Sequence, residues 1–130
     1  ELHPGGKLGK MLPKVGDVMK KKDMIPLIKD DQKVSEAILE MTSKGEGCVG
    51  VISKKGVLKG IVTDGDLRRH MSPNLLKKKV TEIMTKKPKT LSIETSVSDA
   101  VKLMNKQSIT NYFITKKMKP LGIIHLHDIL

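Results

Sequence analysis

Apolar residues recur along this chain with two periods. Val34, Ala37, Ile38 and Met41 stand at i, i+3, i+4 and i+7, the stripe of an amphipathic helix near Val34 to Lys44. Val97, Ala100, Val101 and Met104 repeat it 63 positions later, for a helix near Val97 to Lys106. Ile52-Ser53-Lys54-Lys55 returns as Ile114-Thr115-Lys116-Lys117, and Gly60-Ile61-Val62 as Gly122-Ile123-Ile124, both shifted by 62. Asp66-Leu67 returns as Asp128-Ile129, and Val18-Met19 as Ile83-Met84. Anchors that keep one order at a nearly fixed shift define an internal repeat of about 60 residues.

Each copy predicts the same elements. A short turn or helix holds Val18-Met19 (Ile83-Met84), and an extended piece follows at Ile25 to Ile28 (Thr90 to Ile93). The amphipathic helix comes next. Ser96 is a good N-cap with Asp99 three residues on, and Lys33 is a poorer one. Two short strands, Cys48 to Ser53 and Val57 to Val62, flank Lys54-Lys55-Gly56 and read as a hairpin with Gly56 at positive φ. Their counterparts are Tyr112 to Thr115 and Leu121 to Ile124. A last helix begins at Thr63 and carries Leu67 to Met71; Pro73 and Asn74 open a linker. The fold class is α/β (α+β): two tandem β-α-β-β-α units, residues 15–72 and 80–130 around a linker at 73–79, packed as a pseudo-twofold pair. One such unit is too small to bury its sheet alone, whereas two close one core and leave a cleft between them. The second copy stops soon after Asp128 and reads as truncated.

Composition narrows the function classes. The 130 residues carry 25 Lys and Arg against 14 Asp and Glu, a net charge of +11. Nearly all of the excess is lysine, in short runs beside Pro or Gly; Arg68 and Arg69 are the only arginines. Base-specific DNA contacts favour arginine, and stacking on single strands needs aromatic side chains. With Tyr112 and Phe113 as the only aromatics, the sequence predicts a solvated surface and no nucleic-acid partner. No apolar run reaches the roughly 20 residues of a membrane span. The lone Cys48 excludes a disulfide framework and reads as a small buried hydrophobe, which together with the lack of a signal peptide predicts a cytoplasmic protein. No nucleophile–base pair or metal cluster stands out, so no catalytic residue is assigned. Opening on Glu rather than Met, the sequence reads as a piece of something longer.

The order of elements, with Gly-Ile-Val-Thr-Asp-Gly-Asp closing the first copy, resembles a CBS domain, and two in tandem resemble a CBS pair (Bateman module). HPGGKLGKML at His3 to Leu12, TDGDLRR at Thr63 to Arg69 and GIIHLHDIL at Gly122 to Leu130 are similar to the KpsF/GutQ family of sugar-phosphate isomerases. That resemblance implies a preceding SIS isomerase domain, with residues 1–14 as its tail and linker. It implies conversion of ribulose 5-phosphate to arabinose 5-phosphate for the Kdo of lipopolysaccharide or capsule. His3 matches a family residue of the active-site region, but without the rest of that domain it carries no role here.

Thr63-x-x-Asp66 is the main candidate site. Thr63 lies where a strand ends and a helix begins, where free N–H groups suit a phosphate. Asp66, one turn on, suits a ribose diol, and Gly60 permits close backbone approach. The same two residues also fit a capping box, and the sequence leaves both roles open. The resemblance adds that the matching CBS positions hold the phosphate and ribose of adenosine nucleotides. In the second copy His125 replaces the Thr and His127 precedes Asp128. These histidines predict charged donors to an anion rather than a metal site. Arg68 or Arg69 could reach an anionic ligand in two-pronged fashion. Since the half-sites differ, one favoured ligand is expected: an adenosine nucleotide (AMP or ATP), or CMP-Kdo, the activated end product, whose carboxylate would use the extra cations. The module is expected to self-associate as a homodimer of pairs. The competing reading is a structural oligomerisation module with no ligand.

Overall fold

The structure, a computed structural model, describes residues 12–130, so His3 and most of the preceding tail lie outside the described residues. The described residues open with helix α1 (Val15–Val18) and a 3₁₀ turn at Lys22–Met24. It continues through β1 (Leu27–Lys29), α2 (Val34–Lys44), β2 (Cys48–Ile52), β3 (Leu58–Thr63) and α3 (Asp64–Arg69). After 3₁₀ turns at Leu75–Lys77 and Val80–Glu82 come β4 (Thr85–Lys86), β5 (Thr90–Leu91), α4 (Val97–Gln107), β6 (Asn111–Lys116), β7 (Lys119–His125) and α5 (Leu126–Ile129). One sheet runs β1-β2-β3-β4 and the other β5-β6-β7, each with a parallel pair followed by an antiparallel hairpin.

Local chemistry sets the boundaries. Pro26 has no N–H to give a ladder; its carbonyl accepts from Gly50 N, and regular pairing starts at Leu27, two residues later than the apolar run suggested. The predicted strand at Thr90 to Ile93 ends at Leu91, because the carbonyls of Ile93 and Thr95 turn to accept from Gly16 and Val15. Ser96 Oγ accepts from Asp99 N at 3.0 Å as the N-cap of α4. On α2 the cap is reversed: the Glu36 carboxylate accepts from Lys33 N at 3.1 Å. Gly45 terminates α2 in the left-handed region, at φ 69°. Helix α3 ends at Arg69, and Met71, expected on it, is 69% exposed.

The two sequence repeats are not the two packing units. Val80, Ile83 and Met84, which begin the second copy, pack into the core of Ile28, Val34, Ala37, Met41, Val49 and Val62 in the first. Val15 and Met19, which begin the first copy, pack with Ala100, Met104, Tyr112, Ile114 and Ile124 of the second. The exchange is reciprocal down to the hydrogen bonds. Val80 N donates to Gln32 O at 2.9 Å and Val34 N to Lys78 O at 2.9 Å; Val15 N donates to Thr95 O at 2.8 Å and Val97 N to Pro13 O at 3.0 Å. β4 thus pairs on β3 through Ile61 and Thr85, while Lys20 bridges Ile123 of β7. A third cluster of Ile25, Cys48, Leu58, Phe113 and Ile123 joins the halves. Gly50 makes that junction possible, since a Cβ there would sit 3.0 Å from the ring of Phe113.

Candidate functional site

A cleft of about 560 Å³ opens where the halves meet. One wall comes from the first half: Gly47 and Cys48 at the start of β2, Ile61 and Thr63 on β3, and Asp64 and Arg68 on α3. Thr85 on β4 and Lys87 and Lys89 in the link to β5 continue it, and Ile109, Thr110, Asn111 and Phe113 face them from the second half. The middle is apolar (Ile61, Ile109, Phe113) and the rim is cationic, with Arg68, Lys87 and Lys89 near Asp64, the one acidic residue that lines it among the described residues. Arg68 is exposed, and among the described residues no carboxylate pairs with it.

Thr63 and Arg68 thus reach the cleft, but Asp66 does not line it. Asp66 is 2% exposed and its carboxylate is saturated. Oδ2 accepts from Thr63 N at 2.9 Å and the Thr63 hydroxyl at 3.1 Å; Oδ1 accepts from Arg69 at 2.6 Å and the Thr85 hydroxyl at 2.8 Å. Thr63 Oγ accepts in turn from Asp66 N at 3.3 Å, closing a capping box. Burial pushes the Asp66 carboxyl up, but the donors, the Thr85 hydroxyl foremost, outweigh burial and hold it below the ordinary carboxylate value. In this geometry Asp66 has no free lone pair for a ribose. It fixes the rotamers of Thr63 and Thr85, which do line the cleft. Arg69, committed to Asp66, leaves Arg68 as the arginine available to a ligand.

Other candidate residues lie away from the cleft. Gly60 does not line the cleft; a Cβ there would lie 2.5 Å from the Met84 sulfur, so the glycine makes room for the exchanged segment. His125 caps α5 by accepting from His127 N at Nδ1 (3.0 Å), and the two rings pack edge-on at 4.8 Å. Neither His125, His127 nor Asp128 lines the cleft. Asp128 lies 3.6 Å from Lys20. Cys48 is buried at the cleft floor, and burial, with the charges of Glu46 and Asp64 nearby, pushes its thiol up to about 12, so it is no nucleophile.

Glu46 escaped the sequence reading. It is 5% exposed, between two left-handed glycines, Gly45 (φ 69°) and Gly47 (φ 76°). Its carboxylate accepts from Lys20 Nζ at 2.5 Å and from Asn111 Nδ2 at 3.3 Å. Glu46 holds the Lys20 ammonium above its ordinary value. A charge between two glycines is the signal that could have marked it. Among the described residues no cluster of three His, Cys, Asp or Glu could hold a metal ion, and no helix is long and apolar enough to cross a membrane.

Comparison with known proteins follows the same geometry. The CBS domain profile matches residues 15–73 and again 80–130. An uncharacterized protein of Rickettsia prowazekii is 41% identical over 128 residues, covering 98% of this chain and 40% of the relative. An arabinose 5-phosphate isomerase KdsD of Francisella tularensis is 36% identical over 132 residues, with the same coverage of 98% and 40%. The chain therefore spans about 40% of the length of these relatives. Among solved structures, CBSX2 in complex with AMP superposes with a TM-score of 0.78 at 22% identity, covering 90% of this chain and 92% of that one. The two profile matches, the doubled β-α-β-β-α order and this superposition agree: the chain belongs to the CBS domain family, as a tandem pair.

Proposed function

We propose that this pair is the regulatory module of a cytoplasmic sugar-phosphate isomerase, and that it binds a nucleotide or nucleotide-sugar in the cleft between its halves. The observation that carries the reading is the cleft itself, an apolar slot bordered by Ile61, Ile109 and Phe113 with unpaired Arg68 at its mouth. A base and sugar suit the slot, and phosphate suits Arg68 with Lys87 and Lys89. The relatives named arabinose 5-phosphate isomerase, 36% identical in the Francisella case, support an SIS catalytic domain in the parent chain, with this pair as its appended sensor. The AMP held by the CBSX2 structure supports a nucleotide as the ligand class.

Within that class, the three cations around the cleft favour a ligand with more than one anionic group. CMP-Kdo, with a carboxylate beside its phosphate, meets that demand better than AMP, and feedback by an end product is the regulatory logic it would serve. ATP meets the charge demand with phosphates alone. The exposed side chains of Leu39 and Met71 support self-association into a homodimer of pairs.

Thermal unfolding with AMP, ATP and CMP-Kdo tests the reading. A ligand held at 100 times its Kd stabilises by about 2.7 kcal/mol, and CMP-Kdo should raise Tm at lower concentration than AMP. If none of the three moved Tm at millimolar concentration, the pair would be a structural oligomerisation module instead.

A further inference from the structure

We propose that the second half-site is occupied from within: the Glu46 carboxylate seated on Lys20 stands where the open cleft would take a ligand, so each chain holds one nucleotide and not two. The inference rests on the nucleotide reading above and adds the stoichiometry and the residues that set it. The repeat locates the counterpart position. Thr85 pairs on β3 at Ile61, and Lys20 bridges β7 at Ile123, the repeat mate of Ile61. Lys20 is therefore the counterpart of Thr85. Ile109 follows Ser108, the left-handed C-cap of α4, and Glu46 follows Gly45, the left-handed C-cap of α2. Glu46 is therefore the counterpart of Ile109. In the open cleft Thr85 and Ile109 are lining residues contributed by opposite halves. In the mirror position the same two places hold a cation and a carboxylate 2.5 Å apart.

The chemistry of the pair is that of a bound anion. Lys20 Nζ and Asn111 Nδ2 both donate to Glu46, and Asp128 lies 3.6 Å from the same ammonium. The Glu46 side chain is 2% exposed, so an incoming phosphate would have to displace a buried carboxylate from its own cation. Arg68, the cation offered to ligands in the open cleft, has Leu130 as its repeat counterpart. The mirror position thus has Leu130 in the place of Arg68, and the cation it holds in the place of Thr85, Lys20, is already neutralised.

Titration calorimetry with AMP tests this on the 130-residue chain and on the Lys20→Thr/Glu46→Ile/Leu130→Arg variant, which installs the open cleft's residues at the three positions that differ in the argument above. One AMP per wild-type chain and two per variant chain would support the proposal. Two per wild-type chain, or one per variant chain whose circular dichroism is native, would overturn it. Should AMP, ATP and CMP-Kdo all fail to bind either protein, the nucleotide reading fails and the pair is judged separately, by thermal unfolding of Lys20→Met, Glu46→Gln and their combination. A double variant that loses less Tm than its two single variants together would show the seated pair; additive losses would overturn it.

Discussion

At the end of β3 the chain presents Thr63, Asp64 and Arg68 to an open cleft, with the Asp66 carboxylate folded beneath them and fully donated to. At the end of β7 the same turn presents His125, Leu126 and Leu130, and its carboxylate, Asp128, is about half exposed beside Lys20. The backbone is repeated and the chemistry is not. In the first half the buried charge belongs to the helix cap and leaves the cations at the rim free. In the second the buried charge, Glu46, crosses from the other half and consumes the cation. A duplicated scaffold can therefore hold one open site and one closed one by changing a few side chains at fixed positions.

The largest expected effect is at the seam where the copies complement each other. Phe113 is fully buried, and its repeat counterpart is Gly50, against which its ring packs. Phe113→Ala should cost about 3–5 kcal/mol, a lost aromatic plus the cavity it leaves. Chemical denaturation reads this as a lower midpoint at unchanged slope. If the loss were below about 1 kcal/mol, the two halves would not depend on this junction.

The two carboxylates come next. Asp66→Asn keeps the shape but replaces an acceptor of four bonds with a group that accepts at one end and donates at the other, and should cost about 2 kcal/mol. Asp128→Asn, at an exposed counterpart, should stay within about 0.5 kcal/mol. The pH dependence follows from the lowered Asp66 pKa. Its contribution is complete above the unfolded carboxyl value of 3.8 and is lost as pH falls below that, through the folded value. Denaturation midpoints between pH 6 and pH 2 should therefore fall more for the wild type than for Asp66→Asn.

The arginines sharpen the cleft. Arg68→Ala should weaken nucleotide binding about tenfold, or ~1.4 kcal/mol, with little change in Tm. Arg69→Ala should do the reverse, disturbing the Asp66 network more than the affinity. Equal affinity losses for the two would mean that the ion pair of Arg69 with Asp66 opens when ligand binds.

The repeat, the helices and the hairpins were legible because apolar spacing reports which face is buried. The helix at Val34 to Lys44 came out with those bounds, and Gly56 lies at φ 82° as its turn required. The exchange of the leading segments was not legible. Val18-Met19 and Ile83-Met84 show the same apolar pattern whichever sheet they pair with, and only the register of Thr85 on Ile61 and Lys20 on Ile123 decides it. At the site, Thr63 and Asp66 suit a ligand or a cap equally well by residue type. What separates them is the Thr85 hydroxyl, 19 residues away, which takes the last acceptor position. Glu46 was hidden because a charged residue in a short loop reads as solvated, and its one local mark, the glycines on either side, was passed over.

The smallest effect contrasts the two hairpins. The first turns through Lys54-Lys55 with Gly56 at φ 82° and open space around its absent Cβ. The second turns through Lys117 and Met118, both at positive φ, 51° and 64°. A two-residue loop with both centres left-handed favours Asn-Gly, because a Cβ there crowds the following carbonyl. Lys117→Asn with Met118→Gly should therefore stabilise by about 0.5–1 kcal/mol, less whatever apolar cover the 37%-exposed Met118 provides. Gly56→Ala should cost about 1 kcal/mol, with no clash to enlarge it, since the penalty is conformational alone. Opposite signs in the two hairpins, read as shifts in denaturation midpoint, would show that the second copy tolerates a strained turn which the first avoids. A loss on inserting Asn-Gly would mean that Met118, whose carbonyl accepts from Leu58 N at 2.8 Å, holds the first half through a backbone position that glycine loosens.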